Sequence, residues 1–376
     1  MTLSLGFFSI FGYSFTLANF VILYFFYYYL KFNNKFVYIL YLTIITYFLV
    51  LALFFFDSLD FIEFLKSFLL TSAMLLVFIS SLNKPIKNKD FNPKKIITVI
   101  GVLIVLFEIV QVSEYLILGT SSSWFLFDKI SISTATDINR FQAVNFLSFM
   151  RPISFYHEPS YLGIVLLIFL ICANELKVKK KYIYIYIIGI LISFSTTALL
   201  FLILYLIIKN FNSIKNFILI FITIFILSLF FIDQELLNNV FRLGEIFNAG
   251  TSGNERLIGP LDFLIDQFFS KHHYFGIPLG QSDLVFNNSF YLLFLYFGIL
   301  TPIILFIFIG YIVLKFKSNS LKYLLAFFSL LFLSGAIFTL EDALILYLLN
   351  YTFNESSLNK ISTNINSNIS KLNFNK

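Results

Sequence analysis

Charge is what the chain has least of. Only 12% of its 376 residues are charged, while 59% are hydrophobic. Soluble domains carry roughly 25% charged and 45–50% apolar residues. There is too little polar surface here to wrap a globule of this length, so a soluble fold is excluded and a polytopic membrane protein is expected. Cysteine is nearly missing too. The single thiol, Cys172, rules out an intrachain disulfide, and its place in an apolar run makes it a small packing residue. No HExxH, CxxC or clustered acidic motif accompanies the adjacent pair His272 and His273, so a metal centre is not expected. No phosphate-cradling glycine loop is present, so ATP is not implied, and no cofactor of any kind is called for. The N-terminus lacks a positive n-region and a small-residue cleavage site, which makes its first apolar run a retained helix.

What is present is a series of apolar runs separated by lysines. Candidate spans cover about 8–30, 36–56, 64–82, 96–113, 159–174, 182–195, 197–208, 217–232, 289–314, 323–340 and 343–353. Several approach the roughly 20 residues that cross a bilayer. The fold class expected is therefore all-α: a transmembrane helical bundle of about ten to twelve spans, with residues 1–353 as one membrane domain. The Asn-, Ser- and Lys-rich stretch 354–376 reads as a disordered cytoplasmic tail.

Basic residues prefer cytoplasmic loops. With the N-terminus outside, nineteen of the 26 basic residues fall inside, among them Lys84, Lys94, Lys95, Lys177, Lys179, Lys180, Lys181, Lys209, Lys315 and Lys322. The net charge of +6 is thus a membrane-border lysine excess and not a nucleic-acid footprint. Two long segments, 114–158 and 233–288, are then external. One stretch strains the layout. Only 27 residues separate Lys181 from Lys209, where two full spans need about 40. The polar break Ser193, Ser195, Thr196, Thr197 lies at its middle. A shallow hairpin turning there keeps both lysine groups on one side, because hydroxyls can satisfy a turn's backbone where water is scarce.

Lysine supplies the inside charge, yet all four arginines, Arg140, Arg151, Arg242 and Arg256, and all three histidines, His157, His272 and His273, lie in the two external segments. Arginine adds a planar fork that binds phosphate or carboxylate with two hydrogen bonds. The arginines are therefore candidate ligands for an anionic group at the outer face; pairing with Glu245 or Glu255 is the plain alternative. In "RPISFYHEPSYLG", residues 151–163, Pro159 suits the first position of a helix. That helix would point its partly positive N-terminus outward, beside Glu158 and Arg151. The pair Glu158 and His157 has a plain reading as well: a charge partner of the helix dipole and an interfacial aromatic. In "GNERLIGPLDFLIDQFF", residues 253–269, a second helix is expected to start at Pro260, just after Arg256. It would set Leu261, Ile265 and Phe268 on one face and Asp262 and Asp266 on the other, lying on the membrane surface. "HHYFGIPLG", residues 272–280, makes a loop. Glu108, within the fourth span, is a functional candidate by its position, although its nearness to the outer end would also let it reach water.

These stretches together resemble the O-antigen polymerase (Wzy) family, within the wider group that includes O-antigen ligases. "RPISFYHEPSYLG" is similar to that family's arginine, aromatic and Glu-Pro signature. "SFSTT" (193–197) is similar to its Ser-rich turn. "ERLIGPLDFLIDQ", "YFGIPLGQS" and "NNSFYLLFLYFGIL" are similar to the elements of its second loop and the following span. Two departures stand out. Thr196 and Thr197 occupy the place where the turn usually carries arginine, and the His-Asn pair is here Asn287-Asn288, so no histidine role transfers there. The resemblance implies a fold of the membrane glycosyltransferase C type in the bacterial inner membrane, with its site facing the periplasm. The implied substrate is undecaprenyl-pyrophosphate-linked oligosaccharide, polymerised into O-antigen or capsule, and a chain-length regulator protein is a candidate partner. Arg151 and Arg256 would neutralise the departing pyrophosphate, with Arg140, Arg242, His157, His272 and Asn288 as further substrate contacts. Glu158 or His273 would be the base for the attacking hydroxyl. A ligase transferring glycan to lipid A-core, or a flippase for the same lipid, remain the alternatives. The absence of an evident internal repeat speaks against the transporter.

Overall fold

The computed structural model describes residues 8–10, 13–15, 35–81, 92–118, 152, 159–193, 195–210, 252–280, 289–316, 319–331 and 343–356. These residues are helical apart from one small pairing at the start. Strands β1 (Phe8–Ile10) and β2 (Tyr13–Phe15) form an antiparallel ladder with Phe8 opposite Phe15 and Ile10 opposite Tyr13. The span expected over about 8–30 therefore does not begin as a helix. In the sequence, Ser9 and Ser14 interrupt the apolar run.

The helices are α1 (Lys35–Phe54), α2 (Phe61–Ser81), α3 (Pro93–Leu118), α4 (Pro159–Glu175), α5 (Lys180–Ile192), α6 (Thr196–Asn210), α7 (Ser252–Ile265), α8 (Ser289–Phe297), α9 (Leu300–Phe316), α10 (Ser320–Leu331) and α11 (343–356). Their starts follow from local chemistry. The Asp60 carboxylate accepts the Ile62 and Glu63 N–H groups at 3.0 and 3.1 Å, and the Asn92 side chain accepts the Lys95 N–H at 3.1 Å. Both are N-caps. Pro93 and Pro159 open α3 and α4, where a missing N–H costs nothing.

Among the described residues, Pro93–Glu114 is the one helix long and apolar enough to cross a bilayer on its own; α4, α6, α9 and α10 are apolar but shorter. The run expected as one span over 289–314 is broken at Gly298, whose positive φ of 52° ends α8. At the other end of the chain α11 continues to residue 356, three residues past the expected span.

The main core joins α3, α5, α6, α9, α10 and α11 around a central α4. Leu162, Ile164, Leu166, Leu167, Ile171 and Ala173 of α4 are wholly enclosed. Cys172 lies among them, buried and unpaired, as a packing residue. The route of the chain around α4 answers the question posed by the short 182–208 stretch. A Cβ on Gly163, near the start of α4, would meet Ala198 Cβ at 2.5 Å and Ser193 Oγ at 3.0 Å. Asn174, at the far end of α4, accepts a hydrogen bond from Lys209 Nζ at 3.0 Å. So α5 climbs alongside α4 from Lys180, turns beside Gly163, and α6 returns to Asn174. The chain makes a hairpin, with its two lysine groups at one end. Two serine hydroxyls bond backbone groups at the turn, as expected. Ser193 Oγ donates to the Ile190 carbonyl at 2.8 Å, and Ser195 Oγ accepts the Ala198 N–H at 3.3 Å as the N-cap of α6.

That end of the bundle is knotted by one carboxylate. Glu175 accepts from Lys322 Nζ at 2.6 Å, Asn319 Nδ2 at 2.8 Å and Ser356 Oγ at 3.2 Å. The end of α4 is thereby tied to the start of α10 and the end of α11. From this end α9 runs back from Lys315 to Leu300. Its 17 residues cover about 25 Å.

Glu108 departs from expectation. It is fully buried, neither carboxylate oxygen has a hydrogen-bond partner, and Oε2 lies 3.1 Å from where a Cβ on Gly189 would stand. It does not reach water, because the side chain is aimed at α5 and the small residue there lets the helices close over it.

Gly163→Val tests the hairpin packing. Its Cβ has no flexible neighbour to displace, so α4 and α6 must part, which typically costs about 1–3 kcal/mol. Gly310 has nothing within 4 Å of an added Cβ. Thermal unfolding of detergent-solubilised protein should show a clear loss for Gly163→Val and none for Gly310→Ala.

Candidate functional site

Of the residues singled out by sequence, His272, His273 and the backbone of Arg256 are described; Arg140, Arg151, His157, Glu158, Arg242 and Asn288 lie outside the described residues. His273 sits at the end of the bundle away from Lys180, Lys209 and Lys315, with Lys271 beside it. The N–H of Ile299 beside the start of α9 donates to Tyr274 O at 2.9 Å, and Lys315 is at the opposite end of that helix.

The approach to His273 is built by α7 and the turn that extends it. This helix begins at Ser252, not at Pro260 as expected, so Arg256 is inside it rather than before it. Pro260 is carried in the interior and leaves the Arg256 carbonyl without its helical donor. The faces also differ from expectation. Leu261, Ile265 and Phe269 form the exposed apolar stripe beside Asp262 and Asp266, while Leu264 and Gln267 are buried. Phe268 packs inward with Ile277, Leu292 and Leu295 of the α8 region. The shift by one residue arises because α7 runs on into a π-helical turn, Asp266–Ser270, closed by Lys271 N–H to Asp266 O at 3.1 Å.

The wide turn ends in a tight reversal. His272 takes a left-handed φ of 58°, a conformation histidine tolerates better than most residues. Its Nδ1 lies 3.0 Å from Tyr274 Oη. His273 is held on three sides. Its N–H donates to the Gln267 carbonyl at 2.9 Å, its Nδ1 is 2.9 Å from Gln267 Oε1, and the Phe55 ring from the α1–α2 turn meets its ring edge-on at 4.8 Å. Partial burial, followed by the charges of Lys271 and His272, holds the His273 pKa below its ordinary 6.5. The imidazole is therefore neutral at pH 7, the state a base requires.

The glycines of "YFGIPLG" fix where this loop lies. A Cβ on Gly276 (φ 94°) would be 2.6 Å from Tyr296 O, and one on Gly280 (φ 84°) would be 2.7 Å from Glu63 O. Both positions need a left-handed backbone in direct contact with another backbone, so only glycine fits. Between them Ile277 N–H donates to Leu295 O at 2.9 Å, and just before them Phe275 O accepts from Tyr47 Oη. The loop is thereby clamped to α1, α2 and α8. Sequence reasoning missed Phe55, Tyr47 and Gln267. The first two are far away in sequence, and Gln267 reads as one more polar residue on an amphipathic helix.

The WcaD colanic acid polymerase family model matches residues 7–353. The chain belongs to this family. It is a family of Wzy-type polymerases of O-antigen and capsule, so the resemblance read from the sequence holds. Membership makes the chain a membrane-embedded, glycosyltransferase-type polymerase that joins repeat units into a polysaccharide. No curated protein and no solved structure gives a match.

Because its folded pKa is depressed, a base at His273 stays competent down to the ordinary histidine range. Polymer formation should be flat from about pH 8 to about 6.5 and fall only below it. His273→Ala should lower polymer formation by about a hundredfold or more. His272→Gly keeps the left-handed backbone and should stay within a few-fold of the parent. Gel ladders of polymer from membranes with equal protein levels measure both.

Proposed function

We propose that this polymerase takes a growing glycan on undecaprenyl pyrophosphate as donor and a single lipid-linked repeat as acceptor, at the outer face of the inner membrane. A hydroxyl of the acceptor's terminal sugar attacks the anomeric carbon of the donor. The bond from that carbon to the pyrophosphate oxygen breaks, and the electron pair leaves with undecaprenyl pyrophosphate. The leaving group is already stable, so the protein's task is to align two lipids, remove a proton and neutralise charge.

The observation that supports this reading best is the separation of charges along the bundle. Lys180, Lys209, Lys315 and Lys322 gather at the end knotted by Glu175, and the clamped, neutral His273 stands at the other with Lys271 beside it. Lysine-bearing ends favour the cytoplasm, which supports an outward position for His273, where a lipid-borne phosphosugar would reach the surface. His273 takes the hydroxyl proton. Arg256, about three turns before Gln267 on the same helical segment, and Arg151 pair with the pyrophosphate. Glu158, directly before the Pro159 helix start, is the alternative base. The exposed stripe Leu261, Ile265 and Phe269 rests α7 on the membrane surface. Two arginines and a good leaving group make a metal unnecessary in this scheme.

The purified protein in lipid vesicles, given lipid-linked repeats alone, should build a ladder of lengths. A ligase would add nothing without a lipid A-core acceptor, and a flippase would form no bond. Arg151→Lys and Arg256→Lys keep charge but lose the two-pronged contact. Each should slow the ladder by about a hundred- to a thousandfold, and near-normal ladders from both would remove the arginines from phosphate recognition. Glu158→Gln should retain activity within about tenfold if His273 is the base; a complete loss with normal protein level would transfer that role to Glu158.

A further inference from the structure

We infer that Gln267 is a positioning residue, holding His273 with its proton on Nδ1 so that Nε2 carries the lone pair that accepts the substrate's proton. The inference rests on the reading of His273 as the base. Gln267 is buried, with 4% of its surface exposed, although the helix that leads to it has exposed residues on its other side. Its side-chain oxygen lies 2.9 Å from His273 Nδ1. An amide oxygen only accepts, so Nδ1 must donate, and in a neutral ring the lone pair is then on Nε2. The same residue's main-chain carbonyl accepts the His273 N–H at 2.9 Å. One residue thus fixes both the backbone and the tautomer of the histidine. The π-helical turn makes this possible, since the extra residue in the turn brings position 267 under position 273.

A glutamine does here what a carboxylate does in many histidine pairs, but without charge. Lys271 and His272 are the charges that act on the His273 ring, and both disfavour the imidazolium. Asp266 is engaged with Lys271 at 3.5 Å, and the α1–α2 turn presents the Phe55 ring. A neutral partner leaves the ring uncharged and ready at pH 7. A carboxylate in its place would raise the ring's pKa and protonate it near neutrality. When the ring takes the hydroxyl proton on Nε2, the Gln267 oxygen continues to accept from Nδ1, so the cation forms without any rearrangement. The proton leaves to water after the new glycosidic bond has formed.

Two variants and two readouts test this. Gln267→Glu should shift the acid limb of the polymerisation profile upward by about one pH unit or more. Gln267→Leu should lower polymerisation by roughly tenfold or more, within the range that general-base catalysis contributes. Nitrogen-15 NMR of histidine-labelled protein, with His273→Ala identifying the signal, should report the proton on Nδ1 in the parent and its loss from Nδ1 in Gln267→Leu. A neutral His273 protonated on Nε2 in the parent, or an unmoved acid limb in Gln267→Glu with normal protein level, overturns the positioning role. If the NMR result is as expected but His273→Ala polymerises normally, the positioning stands and the base has been misassigned.

Discussion

The architecture depends on the reversal between α5 and α6, at Ser193 and Ser195. A chain buried among helices has no water to satisfy a broken backbone, and a break is tolerated only where side chains supply the missing partners. Ser193 and Ser195 do so, by donating to the Ile190 carbonyl and accepting the Ala198 N–H. Gly163 lets the turn press against α4. Because the chain reverses here, Lys180 and Lys209 return to the same end.

The two ends of the bundle then become chemically unlike. One holds lysines around a single enclosed carboxylate, Glu175, whose three donors come from α10, α11 and the connection before α10. This knot keeps α4 from shifting against its neighbours, since an unpaired Glu175 would be costly to bury. The other end carries a loop clamped by backbone contacts at Gly276 and Gly280 and packed against the α1–α2 turn. A reaction between two lipid-anchored sugars needs little acid or base strength and a great deal of alignment. A histidine fixed by a side chain, a main-chain carbonyl and an aromatic ring suits that demand better than one on a free loop.

Much of this was legible in the sequence because it depends on local or periodic rules. The proline helix start at 159, serine hydroxyls at a mid-span turn and lysines at borders all follow from chemistry within a few residues. The glycine-rich loop was legible as a loop, but its fixed position was not. That requires Tyr47 and Phe275, 228 residues apart, to be neighbours. The early start of α7 was overshadowed by Pro260, a stronger signal that here acts inside the helix. The π turn displaced the expected apolar face from Phe268 to Phe269 and hid the role of Gln267. Glu108 was placed near water by its position along the helix, but rotation about the helix axis aims it at Gly189 instead. Rotation of an apolar-all-round helix is set by neighbours, and the sequence carries no moment that fixes it.

The claim on which the rest stands is that Lys177 and Lys209 share one side of the membrane while the α7 loop faces the other. Single cysteines placed at Lys177, Lys209 and Ser270 in a Cys172→Ala background, labelled with a membrane-impermeant maleimide, measure it directly. Ser270→Cys should label in intact cells, and Lys177→Cys and Lys209→Cys only after permeabilisation. Labelling of Lys177→Cys and Lys209→Cys from opposite sides would contradict the hairpin, and with it the outward placement of His273.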